Sequence, residues 1–217
     1  KKNILPISGK PLIIWTIDRA KNSKYLDRTL VSTDCKEIAK VALDAGAEVP
    51  FLRPDEFSTD TSPTMEAIEH TVSWLESEQS MVYDYILLLE PTSPLREEYD
   101  IDNMIEILIE KSSNFDSIVS IGEVDEHPSI VKRIQGEQLA PFCRNLPNTT
   151  RRQDNEPAYF PYGVGYLAKT ETLLQERTFN AKRCTFYKIK KYQNYEIDDI
   201  YGFWCVENIM RNVWKIA

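Results

Sequence analysis

Positive charge is in short supply: 26 Lys and Arg residues face 34 Asp and Glu, a formal net charge of −8 over 217 residues. That balance argues against a general footprint for nucleic acid or an anionic membrane, so any phosphate has to be bound locally. Long apolar runs are missing too. No stretch approaches the roughly 18 residues of a membrane span, and the first residues lack a signal peptide's apolar core. The expectation is a soluble, cytoplasmic protein. Cysteine is sparse: Cys35, Cys143, Cys184 and Cys205 are dispersed, without the close pairing of a zinc site or the density of a disulfide scaffold. Cys35 has no adjacent base in sequence to activate it. Two isolated histidines, His70 and His127, make no metal motif, and neither is assigned to catalysis. Internal repeats and low-complexity tracts are absent.

The organising stretch is 86–96, Ile-Leu-Leu-Leu-Glu-Pro-Thr-Ser-Pro-Leu-Arg. An apolar run breaks into polar residues framed by Pro91 and Pro94, which cannot extend a central strand or helix. The segment therefore reads as a strand ending in a shaped loop, the place where open α/β sheets bind ligands. Around it, helices are predicted near 12–22, 36–45, 64–79, 101–111 and 199–213, with a short one after Thr170 as N-cap. Gly46 supplies a helix stop. Strands are predicted at 29–32, 47–52, 85–89, 117–121, 166–169 and 182–190. Crossover helices between neighbouring strands imply parallel pairing. The whole chain reads as one domain with an excursion at about 124–160, whose Ile130, Val131, Leu139 and Phe142 are too apolar for a free loop.

Three groups of residues carry candidate chemistry. Glu196 and Asp198 flank Ile197, so an extended backbone turns both acids to one face, where both can approach one Mg²⁺. The alternative is a pair of helix N-terminal acids favoured by the macrodipole. Arg151, Arg152 and Gln153 offer planar cationic forks and an amide suited to a carboxylate or phosphate. Tyr159, Tyr162 and Tyr166, with Gly163 and Gly165 between them, suggest a sugar-facing wall with close backbone approach. Within the opening loop, Thr92 and Ser93 read as framework hydroxyls, and Arg96 as a brace for a neighbouring carboxylate.

Several motifs then recur in a recognisable order: Lys2-Asn3, Gly9-Lys10-Pro11-Leu12, Val31-Ser32-Thr33-Asp34, Phe51-Leu52-Arg53-Pro54, Thr59-Asp60-Thr61, the 86–96 loop and Arg152-Gln153. Together they resemble acylneuraminate cytidylyltransferases over nearly the whole chain. The resemblance implies a nucleotide-diphosphosugar-transferase-like α/β fold with a Rossmann-like, mainly parallel sheet. It implies Mg²⁺-dependent transfer of CMP from CTP to an acidic nonulosonic sugar, with release of pyrophosphate. By position, Lys2, Asn3, Arg53, Ser62 and Thr64 match nucleotide-side residues, and Lys2 and Asp198 the catalytic ones. Glu90, Lys132, Arg152, Gln153, Tyr159, Tyr162 and Tyr166 are assigned to the sugar side. Glu196 and Asp198 resemble the metal-binding Asp-x-Asp. A homodimer is implied, with the 124–160 excursion packing on a second subunit; packing on its own core is the alternative.

Three departures follow from the same resemblance. The family's opening strand and Arg-x-Gly-Ser-Lys-Gly phosphate loop would precede residue 1 and are expected upstream in the native polypeptide. Glu90 stands where the family commonly has glutamine, and Tyr162 where it usually has asparagine. Both changes point to a modified sugar pocket and to a legionaminic- or pseudaminic-like substrate in preference to N-acetylneuraminate. The competing readings are a related nucleotidyltransferase using another nucleotide or a 3-deoxy-octulosonate, and a catalytically silent binding homologue.

Overall fold

Alternation along two central strands decides the layers. The computed structural model describes residues 1–59, 61–143 and 155–216. In it, β4 (Ser117–Glu123) and β7 (Tyr159–Lys169) sit at the centre of a four-stranded sheet, between β3 (Tyr85–Leu88) and β8 (Cys184–Lys188), in the order β3-β7-β4-β8. Successive side chains of a strand face opposite ways. Ile118 and Leu167 accordingly pack with Ile101, Met104, Ile105 and Leu108 of α4 (Asp100–Glu110) and Ala20 of α1 (Leu12–Lys21). Their neighbours Val119 and Ala168 pack on the other face, against Leu173 of α5 (Thr170–Glu176) and Met65 and Ile68 of α3 (Thr64–Gln79). Helices thus cover both faces. Each fully buried aliphatic side chain in these clusters contributes roughly 1.5–3 kcal/mol through lost water contact.

The sheet is mixed where the sequence reading expects mainly parallel strands. β4 and β8 are parallel, but β7 runs antiparallel to both β3 and β4. The reason lies in the connection: among the described residues the excursion before β7 contributes a hairpin and no crossover helix, so nothing there obliges the chain to re-enter the sheet in the same direction. Parallel pairing does hold around α2 (Lys36–Asp44), in the bridges Leu30 to Glu48 and Thr33 to Leu52. These segments remain single bridges. Gly46, at φ +85°, ends α2 as expected.

One local expectation is corrected. Thr170 is the first residue of α5, not its cap, and its hydroxyl donates to the Tyr83 carbonyl at 2.6 Å. The last helix, α6 (Ile200–Asn212), buries Val206 and Met210 but leaves Val213 half exposed beyond its end.

The excursion holds a hairpin, β5 (Lys132–Gln135) with β6 (Gln138–Pro141), in a two-stranded sheet of its own. Ile134, Leu139 and Phe142 are 82%, 73% and 57% exposed, so these side chains do not pack on the chain's own core. His127 closes the base of the excursion, its ring bonding Ser129 and the Glu156 carbonyl. A short ribbon of β1 (Pro6–Ile7) and β2 (Lys10–Pro11) leads into α1.

Candidate active site

The predicted proline-framed loop emerges from the C-terminal end of β3 and meets a bulge in β7. Pro161 and Tyr166 pair with Ile121 and Val119, so Ser120 alone faces residues 162–165. This wide bulge lifts the Gly163 peptide out of the ladder and against the loop: the Glu90 N–H donates to the Gly163 carbonyl at 3.2 Å. A Cβ on Gly163 would fall 2.3 Å from Glu90 Oε2 and 2.5 Å from Ser93 Oγ, which is why glycine stands there.

Arg96 lies beneath this junction, fully buried. Its guanidinium donates to the carbonyls of Val164 (2.5 Å), Gly163 (2.9 Å) and Glu90 (3.4 Å) and to the Thr16 hydroxyl (3.1 Å). It braces backbone carbonyls, therefore, not the carboxylate expected from sequence. Burial pushes its pKa down to about 10, against the pull of Asp100 and Glu90, so it stays charged at neutral pH.

The carboxylate pair enters from the stretch before α6. Ile197 is buried, and its N–H donates to the Thr92 carbonyl at 2.8 Å, pinning the segment along the loop. Glu196, partly buried, is held at Oε1 by the Ser93 hydroxyl and by the Gly163 N–H at 2.8 Å. Asp198 is exposed and lies 3.4 Å from the Lys2 ammonium. Asp199 caps α6, its carboxylate accepting from the Gly202 N–H, so the helix N-terminal role falls to Asp199 and not to the pair.

Glu90 completes the cluster. Its carboxyl lies above the ordinary carboxylate range because burial withholds water and because Glu196 and Asp198 repel another negative charge; Arg96 and Lys2 pull the other way. The Tyr166 phenol is pushed up by burial and then by Glu90 and Glu196, and Tyr162 by burial and then by Glu196, Asp125 and Glu126. Lys2, Glu90, Tyr162, Tyr166, Glu196 and Asp198 are thus brought together from four separate parts of the chain.

The other candidates sit elsewhere or outside the described residues. Arg53 follows the Leu52 bridge, donates from Nε to Ser58 Oγ at 3.0 Å, and stands 4.0 Å from Asp34. Ser62 Oγ organises its own loop through Thr59, and Thr64 opens α3 exposed to solvent. Asn3 lies in the 3-10 turn Lys2–Ile4. Tyr159 stands apart from the other two tyrosines, at the start of β7, with the Lys188 ammonium 4.9 Å from its ring centroid. Lys132 opens the exposed hairpin. Arg152 and Gln153 lie outside the described residues.

Oxygen donors in this number suit Mg²⁺, which is bound through one or two carboxylates together with substrate phosphates. Glu196 retains Oε2 beyond its two hydrogen-bonded contacts on Oε1, and Asp198 is open to solvent, so the pair fits such an ion. Among the described residues no group of three or more His, Cys, Asp or Glu side chains is gathered closely enough to hold a metal by itself.

A family model described as "Cytidylyltransferase" matches residues 1–206. The chain belongs to the cytidylyltransferase family. Among relatives, an N-acylneuraminate cytidylyltransferase of Streptococcus agalactiae serotype V is 34% identical over 199 residues, 91% of this chain and 46% of that protein. The chain thus spans about half of that relative's length. A pseudaminic acid cytidylyltransferase of Campylobacter jejuni is 36% identical, covering 81% of this chain and 75% of the relative. A CMP-N,N'-diacetyllegionaminic acid synthase of Legionella pneumophila is 32% identical, covering 82% and 75%. The solved structure of a CMP:2-keto-3-deoxy-manno-octonic acid synthetase complexed with CTP shares the fold, with a TM-score of 0.65 at 15% identity over 98% of this chain and 92% of that one. A 4-diphosphocytidyl-2C-methyl-D-erythritol synthase gives 0.67 at 14% identity, over 96% and 94%.

Sequence reasoning missed the residues that build this candidate site without facing it. Ser93 reads as a turn hydroxyl but bonds Glu196, 103 positions away. Ser120 reads as one residue of a buried strand. Its signal is a polar side chain flanked by Val119 and Ile121, since a fully buried hydroxyl has to find a partner.

Proposed function

We propose that this chain transfers CMP from CTP to an acidic nonulosonic sugar and releases pyrophosphate. The observation that carries the reading is the convergence of Lys2, the Glu90 loop, Glu196 and Asp198 beyond the end of β3 in a member of the cytidylyltransferase family. The sugar's anomeric hydroxyl attacks the α-phosphorus in line, an α-phosphate oxygen bond forms, and the bond to the pyrophosphate leaving group breaks. Little covalent work falls to the protein, so positioning and charge neutralisation carry the rate. Glu196 and Asp198 would hold Mg²⁺, which when bound neutralises phosphate charge. Lys2, beside Asp198, offsets triphosphate charge; Asn3, Arg53, Ser62 and Thr64 hold the nucleotide.

On the sugar side, Glu90, Tyr162 and Tyr166 form the pocket, with Lys132, Arg152, Gln153 and Tyr159 as further contacts. An ionised Glu90 only accepts hydrogen bonds, so it disfavours a sugar carboxylate beside it and favours hydroxyl or amide donors. That preference suits a legionaminic- or pseudaminic-like sugar, the substrate classes named for two of the relatives. The exposed hairpin supports a homodimer, and the net charge and the lack of a spanning helix among the described residues support a protein working free of nucleic acid and membrane, in the cytoplasm. Pyrophosphate release across the four nucleoside triphosphates, then across N-acetylneuraminate, legionaminate, pseudaminate and 3-deoxy-octulosonate, tests the reading. Release only with CTP, and best with a diamino nonulosonate, is the expected result; best turnover of N-acetylneuraminate would overturn the sugar assignment.

A further inference from the structure

We propose that Ser120 and Arg96 are positioning residues that act on the Glu196 carboxylate through the Gly163 peptide, a role that rests on the functional reading above. The argument starts from peptide geometry. In a trans peptide the C=O and N–H point in opposite directions. The Tyr162 carbonyl and the Gly163 N–H belong to one such unit: the carbonyl accepts from the Ser120 hydroxyl at 2.5 Å, and the N–H donates to Glu196 Oε1 at 2.8 Å. Ser120 therefore anchors the back of the group whose front holds Glu196.

The next two peptides are locked in the same way. The Gly163 carbonyl accepts from Arg96 Nη2 and from the Glu90 N–H. The Val164 carbonyl accepts from Arg96 Nε, while the N–H at the other end of that unit, on Gly165, donates to Ser120 Oγ at 2.9 Å. Two buried side chains from opposite sides thus fix three consecutive peptides of a four-residue bulge.

The locks matter because this bulge contains two glycines, at 163 and 165, whose backbone rotates with little steric resistance. A flip of the 162–163 peptide would turn the Tyr162 carbonyl toward the Glu196 carboxylate, oxygen against oxygen. Glu196 would keep only the Ser93 hydroxyl and lose the fixed orientation of the oxygens that face a cation. Neither Ser120 nor Arg96 hydrogen-bonds Glu196; both hold the peptides that lead to it, and Arg96 adds only a through-space attraction.

Hydrogen exchange at the Gly163 amide, followed by NMR, reads the clamp whatever the activity. In Ser120→Ala the Gly163 amide is expected to exchange about tenfold faster than in the unmodified protein, the size of one hydrogen bond, while amides inside α4 keep their protection. Ser120→Cys retains the volume with a weaker donor and is expected to fall between; it also serves if the alanine variant fails to fold. The consequence is read by Mn²⁺ titration in the presence of CTP, where the alanine variant is expected to bind about tenfold more weakly. Unchanged Gly163 exchange overturns the clamp. Faster exchange with unchanged Mn²⁺ affinity overturns its action on Glu196. An unmodified protein that protects Gly163 but releases no pyrophosphate from CTP with any acidic sugar overturns the functional reading and leaves the clamp standing.

Discussion

The Lys2 ammonium lies 3.4 Å from the Asp198 carboxylate, across 196 positions of chain. Their side chains are 41% and 80% exposed, so the pair contributes little to stability. Its value is electrostatic: a cation is fixed beside the two acids. Lys2→Met is expected to leave the melting temperature within about a degree while lowering kcat/KM for CTP about 10²-fold, the scale of one preorganised charge. Thermal melts with steady-state kinetics check it; unimpaired turnover removes Lys2 from the site.

Glu90→Gln tests both stability and specificity. The folded-state pKa of Glu90 lies above its ordinary value, so the folded form binds that proton more tightly. Stability linked to this group is highest at low pH and falls as pH rises through the raised value. The glutamine variant is expected to melt higher than the parent at pH 7 and to lose that advantage near pH 4. Its ranking of acidic sugars is expected to shift toward N-acetylneuraminate; an unchanged ranking confines Glu90 to a structural role.

Glu196 and Asp198 differ in what surrounds them, and their variants should differ accordingly. Asp198→Asn leaves no buried donor unpaired, so stability is expected to hold while pyrophosphate release falls at least about 10²-fold. Glu196→Ala strips the acceptor from the Ser93 hydroxyl and the Gly163 N–H, at a cost of about 1–3 kcal/mol in urea unfolding as well as activity. Chelation with EDTA is expected to abolish release, and added Mg²⁺ to restore it.

Asp116 sets an acid limit on the fold. Its carboxylate accepts from Arg183 and Lys169, which tie the starts of β4 and β8 to the end of β7. Those hydrogen bonds hold its pKa at about 2, below the ordinary 3.8. Because the folded value is depressed, the stabilisation is present above pH 3.8 and is lost as pH falls toward 2. Asp116→Asn is expected to be less stable at pH 7, with the gap closing across that window in melts from pH 7 to 2.5. A gap constant with pH would contradict the assignment.

The hairpin exposes Ile134 and Leu139 without support from the chain's own core. If a second copy covers them, Ile134→Glu with Leu139→Glu is expected to halve the mass seen by light scattering while the monomer keeps its far-ultraviolet circular dichroism. A parent protein that is monomeric at concentrations where it is active would remove the dimer.

Much of this was legible before any coordinates. Helical periodicity gave α1 to α4 and α6 to within a residue or two, because each buries one apolar stripe, α4 against the sheet and α2 and α6 against α1 and its neighbours. The proline-framed loop, the carboxylate pair split by a buried Ile197, and the helix stop at Gly46 follow from local chemistry. The direction of β7, the exposure of the hairpin and the separation of Tyr159 from Tyr162 were not legible, since each depends on contacts between distant segments.

The sequence by itself determined which segments are helix and which residues could carry charge to a phosphate, since those properties are local; the strands at 29–32 and 47–52 shrank to single bridges, and the hairpin at 132–141 was not foreseen. Only the tertiary structure decided that a bulge in β7 would deliver the Gly163 N–H to Glu196, that a fully buried Arg96 would hold carbonyls in place of a carboxylate, and that Lys2 would meet Asp198. The physical reason is that buried polar groups must find partners, and which partner is within reach is settled by packing.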